Sequence, residues 1–105
     1  MSASEQDIQN TICDYLAYKN YFFWRNNTVG VYDPVNKTYR NPPKYSMNGV
    51  SDLILCEEGV THFIEVKSET GRQTDSQSEF QEMCEDNDIP YYVVRSLQDL
   101  VEAGF

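Results

Sequence analysis

Two carboxylates and a lysine stand at a spacing that could support metal-ion chemistry. Glu65 and Lys67 lie in the β-rich segment 61–67, and because side chains alternate along a strand they share one face. Asp52 begins the preceding predicted strand, and the turn-sized connection at 57–59 predicts an antiparallel hairpin. In the usual register of such a hairpin, Asp52 lies near Glu65.

Oxygen donors beside a cation are typical of Mg²⁺ sites that act on phosphates. Mg²⁺ usually takes one or two protein carboxylates and keeps places for water and phosphate oxygens. The ion polarises the scissile phosphate, and a lysine can orient the attacking water or stabilise developing charge. On spacing alone, an ordinary ion pair between Glu65 and Lys67 on an exposed strand is the more frequent arrangement. His62 lies on the opposite face, so we expect it to pack or lie at the surface rather than share the metal.

The chain must fold so that these residues meet, and its patterning predicts how. Apolar periodicity, caps and breakers predict seven main elements. The first half of the chain is predicted to form a helix from the Ser4 cap to about Tyr18, a strand Tyr21–Trp24 and a long loop Asn26–Asn48 with a short hairpin around Val29–Tyr32. The second half is predicted to form strands Val50–Cys56 and Thr61–Val66, a helix from the Thr74 cap to about Asp86, a strand Tyr91–Val94 and a short helix begun by a capping box at Ser96–Asp99. The order α-β-β-β-α-β-α predicts an α/β fold, a mixed central sheet flanked by helices.

The chain is acidic overall, but its charge is unevenly distributed. The net charge is −9, yet the stretch from Lys19 to Lys44 holds five cations and one acid, which gives it +4 and leaves −13 elsewhere. Cations beside rings that can stack on bases are typical of a DNA-contacting surface. The aromatic run is expected to bury Phe22 and Trp24 or their alternates. The predicted phosphate contacts are Arg25, Lys37, Arg40, Lys44 and Arg72.

Length and composition exclude several classes of protein. The 105 residues are expected to form one domain, residues 1–105. No apolar run approaches the roughly 20 residues that span a bilayer, and the first residues do not resemble a signal peptide. The three cysteines, Cys13, Cys56 and Cys84, are odd in number and lack a Cys-x-x-Cys pattern, which favours buried thiols in a reducing compartment over disulfides or zinc.

Four short motifs, in their order and spacing, resemble one nuclease family. They are Gly49-Val50-Ser51-Asp52, Glu65-Val66-Lys67, Gly71-Arg72-Gln73-Thr74 and Gln77-x-x-Phe80. Together they resemble the virus-type replication-repair nuclease (VRR-NUC) domain of the PD-(D/E)XK superfamily, which is similar to archaeal-type Holliday junction resolvases. The resemblance extends from Glu5 to about Arg95 and implies a restriction-endonuclease-like core.

The resemblance implies a role for each matching residue. Asp52 and Glu65 would bind Mg²⁺, with Mn²⁺ able to substitute, and the Val66 carbonyl would be a further ligand. Lys67 would be the catalytic lysine. Ser51 stands where the superfamily name has proline, and the small residue there is expected to serve the turn rather than the chemistry.

Two further matching residues each have a simpler alternative. Gln77 matches a glutamine of the helix that follows the site, but it stands three residues after Thr74 and could instead complete a capping box. Glu5 matches a carboxylate on the first helix that joins the site, although an acid in a first helical turn needs no functional explanation.

The sequence therefore predicts a Mg²⁺-dependent, structure-selective endonuclease that hydrolyses phosphodiester bonds in branched DNA, of Holliday-junction-resolving type. A less selective flap or nicking endonuclease would use the same metal site. A non-catalytic acidic DNA mimic would need neither the +4 segment nor Lys67. A two-fold homodimer is expected, because it would double the basic face of a small acidic chain. The resemblance also suggests a bacteriophage product that acts in a bacterial cytoplasm.

Overall fold

A four-stranded mixed sheet forms the centre of the protein. The computed structural model describes residues 3–26, 32–39 and 44–105. Its elements, in chain order, are α1 (Glu5–Tyr18), β1 (Phe22–Arg25), β2 (Tyr32–Asp33), β3 (Thr38–Tyr39), β4 (Leu53–Glu57), β5 (Val60–Val66), α2 (Asp75–Asp86), β6 (Tyr91–Val94) and α3 (Leu97–Glu102). The predicted α/β class and the order of the main elements are confirmed.

The sheet has the strand order β1-β4-β5-β6. β1 pairs with β4 and β4 with β5 in antiparallel fashion, whereas β6 runs parallel to β5. A parallel pair needs a long crossover connection, and α2 provides it. β2 and β3 form a separate two-stranded ribbon inside the predicted loop. This ribbon begins at Tyr32, where the predicted short hairpin ends, and residues 29–31 lie outside the described part of the chain.

The hairpin of β4 and β5 sets the register on which the site depends. Glu57 pairs with Val60, so the connection is the two residues Glu58 and Gly59, which have φ values of 51° and 78°. Positive φ at both positions is the requirement of a type I′ hairpin turn, which matches the twist of the flanking strands. The same register pairs Leu53 with Ile64 and brings the start of β4 level with the end of β5.

The helices cover the two faces of the sheet. On one face, α1 and α3 pack on the alternate β4 and β5 residues, and the fully buried members of this core are Ile12, Leu16, Leu53, Leu55, Ile64, Val66 and Leu100. On the other face lies α2, whose Phe80 ring is 5.0 Å from the ring of Phe63, edge to face. Since Phe63 and Ile64 are neighbours on β5, the sheet is sandwiched between two helical layers.

Each helix begins at the predicted cap. The Ser4 hydroxyl accepts a hydrogen bond from the Asp7 amide at 3.1 Å, and the caps of α2 and α3 are Thr74 and Ser96. The capping box expected for α3 is only half formed. Ser96 accepts from the Asp99 amide, but the Asp99 carboxylate accepts from the amide of Arg95 instead of that of Ser96.

β1 shows which of the two aromatic alternatives is correct. Tyr21 and Phe23 pack against the core, whereas Phe22 and Trp24 remain 67% and 43% exposed. All three cysteines are free thiols, with Cys84 buried and the other two half-buried. Among the helices that the structure describes, none has the length and apolar character needed to cross a membrane.

Candidate active site

Asp52 and Glu65 meet where β4 begins and β5 ends. The Asp52 carboxylate accepts a hydrogen bond from the main-chain amide of Val66 at 2.8 Å. Asp52 is also a close enough neighbour of Glu65 that its carboxyl group raises the pKa of Glu65. The predicted proximity of the two acids follows from the hairpin register, which places Asp52 opposite Glu65.

Glu65 and Lys67 share the face of β5 that α2 covers. The side chain of Glu65 is fully buried and that of Lys67 is only 6% exposed. The exposed ion pair, which was the simpler alternative for these two residues, is thus ruled out. His62 lies on the opposite face, with its ring against those of Tyr92 and Phe105.

The Glu65 carboxylate is bonded through both of its oxygens. Oε1 accepts a hydrogen bond from the Gln77 side-chain amide at 3.2 Å, and Oε2 accepts one from the Tyr91 hydroxyl at 2.9 Å. Its donors therefore come from α2 on one side and from the neighbouring strand β6 on the other. A carboxylate oxygen has two lone pairs, so these bonds leave acceptor capacity on both oxygens.

The electrostatics of the site favour a proton or a cation between the acids. Burial, together with the hydrogen bond and negative charge of Asp52, raises the pKa of Glu65 to about 8, although Tyr91 and the positive charge of Lys67 oppose this shift. Two carboxylates in contact cannot both ionise cheaply in a buried site. At neutral pH Glu65 therefore keeps its proton unless another positive charge replaces it.

Gln77 completes the predicted capping box and also contacts the candidate site. Its Oε1 accepts from the Thr74 main-chain amide at 2.8 Å, which completes the capping box of α2. Its Nε2 donates to Glu65. The cap fixes the carbonyl end of the amide on Thr74, so the NH₂ end must face the buried carboxylate.

Gly49 allows the segment before β4 to lie directly on α2. Its φ is 76°, and a Cβ at this position would stand 2.2 Å from the Ser76 main-chain oxygen. Only glycine fits at this position, because any side chain would collide with the Ser76 main chain. The close approach places the segment that carries Asp52 against the first turn of α2. Ser51 is fully buried and its hydroxyl donates to the Leu53 carbonyl at 2.8 Å. Ser51 thus bonds within its own segment, as expected for a residue that serves the turn.

The family assignment agrees with this geometry. The model of the VRR-NUC domain family matches residues 3–98 of the chain. The chain belongs to this family. A VRR-NUC domain is a nuclease domain of the PD-(D/E)XK type, and DNA is the substrate that it implies. Comparison with curated proteins found no match.

The first helix contributes to this VRR-NUC domain in a way that the sequence did not predict. Glu5 is exposed in the first turn of α1, and among the described residues nothing bonds it to Asp52 or Glu65. Instead, a cavity of about 320 Å³ beside Asp52 is lined by Gln6, Gln9, Arg25 and Asn26. Gln6 and Gln9 are three residues apart on one side of α1, which was the available signal.

The predicted DNA contacts of the VRR-NUC domain lie on several elements. Arg25 borders the cavity beside Asp52, and its guanidinium donates to the Asn10 side chain of α1. Lys37, between β2 and β3, and Arg72, before α2, are exposed. Lys44 is also exposed, and its ammonium lies 5.3 Å from the ring centre of Tyr45. Arg40 lies outside the described residues.

Arg95 holds the loop that joins Lys67, at the end of β5, to α2. Its guanidinium donates to the carbonyl oxygens of Ser68 and Gly71, each at 2.7 Å, and to that of Glu69 at 3.3 Å. The Arg95 guanidinium therefore binds three main-chain carbonyl oxygens in the loop just after Lys67. No pattern in the sequence predicts this role, because Arg95 is 24 or more residues away from its partners.

The described residues contain no group of three or more histidine, cysteine, aspartate or glutamate side chains that could hold a metal ion. Asp52 and Glu65 are the two acids that the structure brings together at this site. Two carboxylates, with main-chain carbonyl, water and phosphate oxygens completing the shell, suit Mg²⁺ rather than a cation that requires an all-protein cage.

Proposed function

We propose that the protein is a Mg²⁺-dependent, structure-selective endonuclease that hydrolyses phosphodiester bonds in branched DNA, of Holliday-junction-resolving type. The observation that carries this proposal is the neighbouring carboxylates of Asp52 and Glu65, with Glu65 buried beside Lys67. Such a pair is costly for a folded protein unless a cation binds it. Membership of a nuclease family gives that cation a chemical purpose.

Asp52, Glu65 and the Val66 carbonyl are the groups that would hold Mg²⁺, with Mn²⁺ able to substitute. The Val66 amide donates to Asp52, and in an antiparallel strand the carbonyl of the same residue points to the same side. When bound, the ion polarises the scissile phosphate and lowers the pKa of a water. The hard oxygen donors fit this ion.

The other residues of the site hold these groups and supply charge. Lys67 brings a positive charge to the metal-binding face of β5, where it can orient the attacking water or stabilise negative charge on the phosphate oxygens. Its stem is buried, so the ammonium is confined near the acids. Gln77 holds one oxygen of Glu65, and its own orientation is fixed by the cap of α2.

The cavity beside Asp52 is a suitable entry for a DNA phosphate. Arg25 supplies a guanidinium there, and Gln6, Gln9 and Asn26 supply amide donors. These groups can neutralise and hydrogen-bond a phosphodiester next to the acids. Lys37, Lys44 and Arg72 would contact the flanking backbone; Arg40, in the same basic segment, is proposed for the same role from the sequence alone.

A homodimer is part of the proposal. One protomer carries a net charge of −9 and a single active site, whereas cleavage of two strands in a branched DNA calls for two sites in fixed relation. Static light scattering at working concentration should give twice the monomer mass of 12.2 kDa. A monomer mass would remove this part of the proposal.

A cleavage assay tests the proposed activity. Wild-type protein should cut a synthetic four-way junction with Mg²⁺ or Mn²⁺, and cut it faster than a linear duplex or a flap of the same sequence. Lys67→Ala should lose this activity and keep its fold, whereas Lys19→Ala, at the far end of α1, should cut normally. Folded protein that cuts no DNA with either metal would contradict the proposal. Equal cutting of junction and flap would instead indicate the less selective nuclease.

We further propose that the protein acts in a reducing compartment, the cytoplasm of a bacterial host that carries a bacteriophage. Three free thiols, two of them only half-buried, are compatible with such a compartment.

A further inference from the structure

Tyr91 makes a contact with the acidic pair that the sequence motifs do not include. It is the first residue of β6, and its register partner on β5 is Phe63. Its hydroxyl donates to Oε2 of Glu65 at 2.9 Å. Phe63 and Glu65 are two residues apart on β5 and share a face, so Tyr91, which pairs with Phe63, also lies on the face that α2 covers.

A chain of amide hydrogen bonds determines where the Tyr91 hydroxyl proton points. The Gln73 side-chain amide donates to the Tyr91 hydroxyl oxygen at 3.2 Å and to the side-chain oxygen Oε1 of Gln81 at 2.9 Å. Gln81 in turn donates to the carboxylate of Glu85 at 3.1 Å. Since a carboxylate can only accept, each amide in this chain is oriented in one direction.

The direction of the chain has a consequence for Glu65. The Tyr91 oxygen already accepts a hydrogen bond from Gln73, so its own proton is free to be donated to the buried carboxylate. Hydrogen bonds arranged in one direction polarise and strengthen one another in a low-dielectric environment. Glu65 is thus held between Tyr91 on one oxygen and Gln77 on the other.

We propose that Tyr91, oriented by Gln73 and Gln81, is a positioning residue that holds the Glu65 carboxylate in its metal-binding conformation. This inference rests on the proposed function, because it assigns Tyr91 to the metal site of that nuclease. Partners that orient a metal ligand commonly change metal affinity by about 10- to 100-fold when they are removed. The Tyr91 ring packs against Phe80 with 6.0 Å between ring centres, so the ring and the hydroxyl can be tested separately.

The test compares two tyrosines that are adjacent in sequence. Tyr91→Phe removes the hydroxyl and keeps the ring contact with Phe80. Tyr92→Phe is the matched control, because Tyr92 lies on the opposite face of the sheet, with its ring near His62 and Phe105. Melting temperature is measured as Mg²⁺ or Mn²⁺ is added without DNA, and junction cleavage is measured over the same range of metal concentration.

For Tyr91→Phe we expect half-saturation at a metal concentration about 10- to 100-fold higher in both measurements, with cleavage largely restored at saturating metal. Tyr92→Phe should match wild type. Gln73→Ala should shift half-saturation in the same direction by less, because it frees the hydroxyl to point elsewhere without removing it.

Two results would overturn the inference and leave the nuclease proposal standing. One is unchanged metal half-saturation in Tyr91→Phe while wild type responds to metal. The other is a lower maximal rate at unchanged half-saturation, which would indicate a purely structural role. Wild-type protein that shows neither a metal-induced rise in melting temperature nor metal-dependent cutting would overturn both.

Discussion

Both faces of β5 are buried at its C-terminal end, but they are held in different ways. On one face, Ile64 and Val66 are fully buried among aliphatic side chains of α1, β4 and α3. On the other, Glu65 is just as buried and Lys67 nearly so. Apolar burial stabilises the fold in proportion to the area removed from water. Burial of a carboxylate costs free energy unless it is hydrogen-bonded and neutralised.

The apolar face of β5 therefore stabilises the fold, whereas the α2 face carries the candidate site. Gln77 and Tyr91 satisfy the hydrogen bonds of Glu65, but the charge of the acidic pair is left for a proton or a cation. The apolar face must offset that cost. We therefore expect changes on the apolar face to alter stability, and changes on the α2 face to alter metal binding and cleavage. Four predictions test this separation.

The largest effect is expected for Glu65→Gln. Removal of a charged ligand from the proposed metal site should slow junction cleavage by about 10³-fold, or about 4 kcal/mol of transition-state stabilisation. The same variant should be more stable than wild type at about pH 8 without metal, because it no longer buries a carboxylate beside Asp52. Cleavage rates and urea unfolding at that pH check both parts. Loss of both stability and activity in Glu65→Gln would contradict the separation of the two faces of β5.

Ile64→Ala tests the opposite face of the same strand. Its fully buried side chain is lost from the core between the sheet and α1, so the free energy of unfolding should fall by about 3 kcal/mol. The metal concentration for half-maximal cleavage should not change in the fraction that remains folded. Urea unfolding gives the first quantity and metal titration the second. Ile64→Val is the matched control and should lose about 1 kcal/mol.

The metal-free protein should become less stable as pH rises from about 6 to about 8. Burial and the neighbouring Asp52 raise the pKa of Glu65 from its ordinary 4.5 to about 8, so the folded protein keeps a proton that the unfolded chain releases. Stability falls wherever the folded state binds more protons, here by about 2 kcal/mol.

The groups that face Glu65 are Asp52 just before β4, Lys67 just after β5, Tyr91 from β6 and the neutral Gln77 from α2. Saturating Mg²⁺ should flatten the pH dependence, since it replaces the proton of Glu65. Glu65→Gln should flatten the pH dependence without metal. A metal-free protein whose stability is constant or rises between these pH values would contradict the prediction. Urea unfolding at several pH values measures it.

The smallest effect on stability is expected for Gln77→Ala. Loss of the capping box should lower the free energy of unfolding by about 1 kcal/mol. Ser96→Ala, which removes the cap of α3, should cost a similar amount. Only Gln77→Ala should also weaken metal binding, by about tenfold, because only Gln77 touches Glu65. Equal metal affinity in the two variants would show that Gln77 is merely a cap.

Local rules were sufficient for much of the fold. The caps Ser4 and Thr74 start their helices as predicted, and strand alternation placed Glu65 and Lys67 together and His62 opposite. Each of these features depends on residues within a few positions of one another. The box at Ser96 failed in detail because two main-chain amides compete for Asp99, and composition does not decide between them.

The sequence by itself determined the family, through the order and spacing of its motifs. It also placed Asp52 near Glu65, and Lys67 on the same face as Glu65, because one hairpin with a two-residue turn and the alternation of side chains decide these positions. Only the tertiary structure decided what surrounds them. The approach of Gly49 to Ser76, the Tyr91 bond to Glu65 and the placement of Gln6 and Gln9 beside Asp52 join segments that are 26 to 46 residues apart. Such contacts arise from the way α1, α2 and β6 pack on the sheet, and no local propensity specifies which side chains that packing brings together.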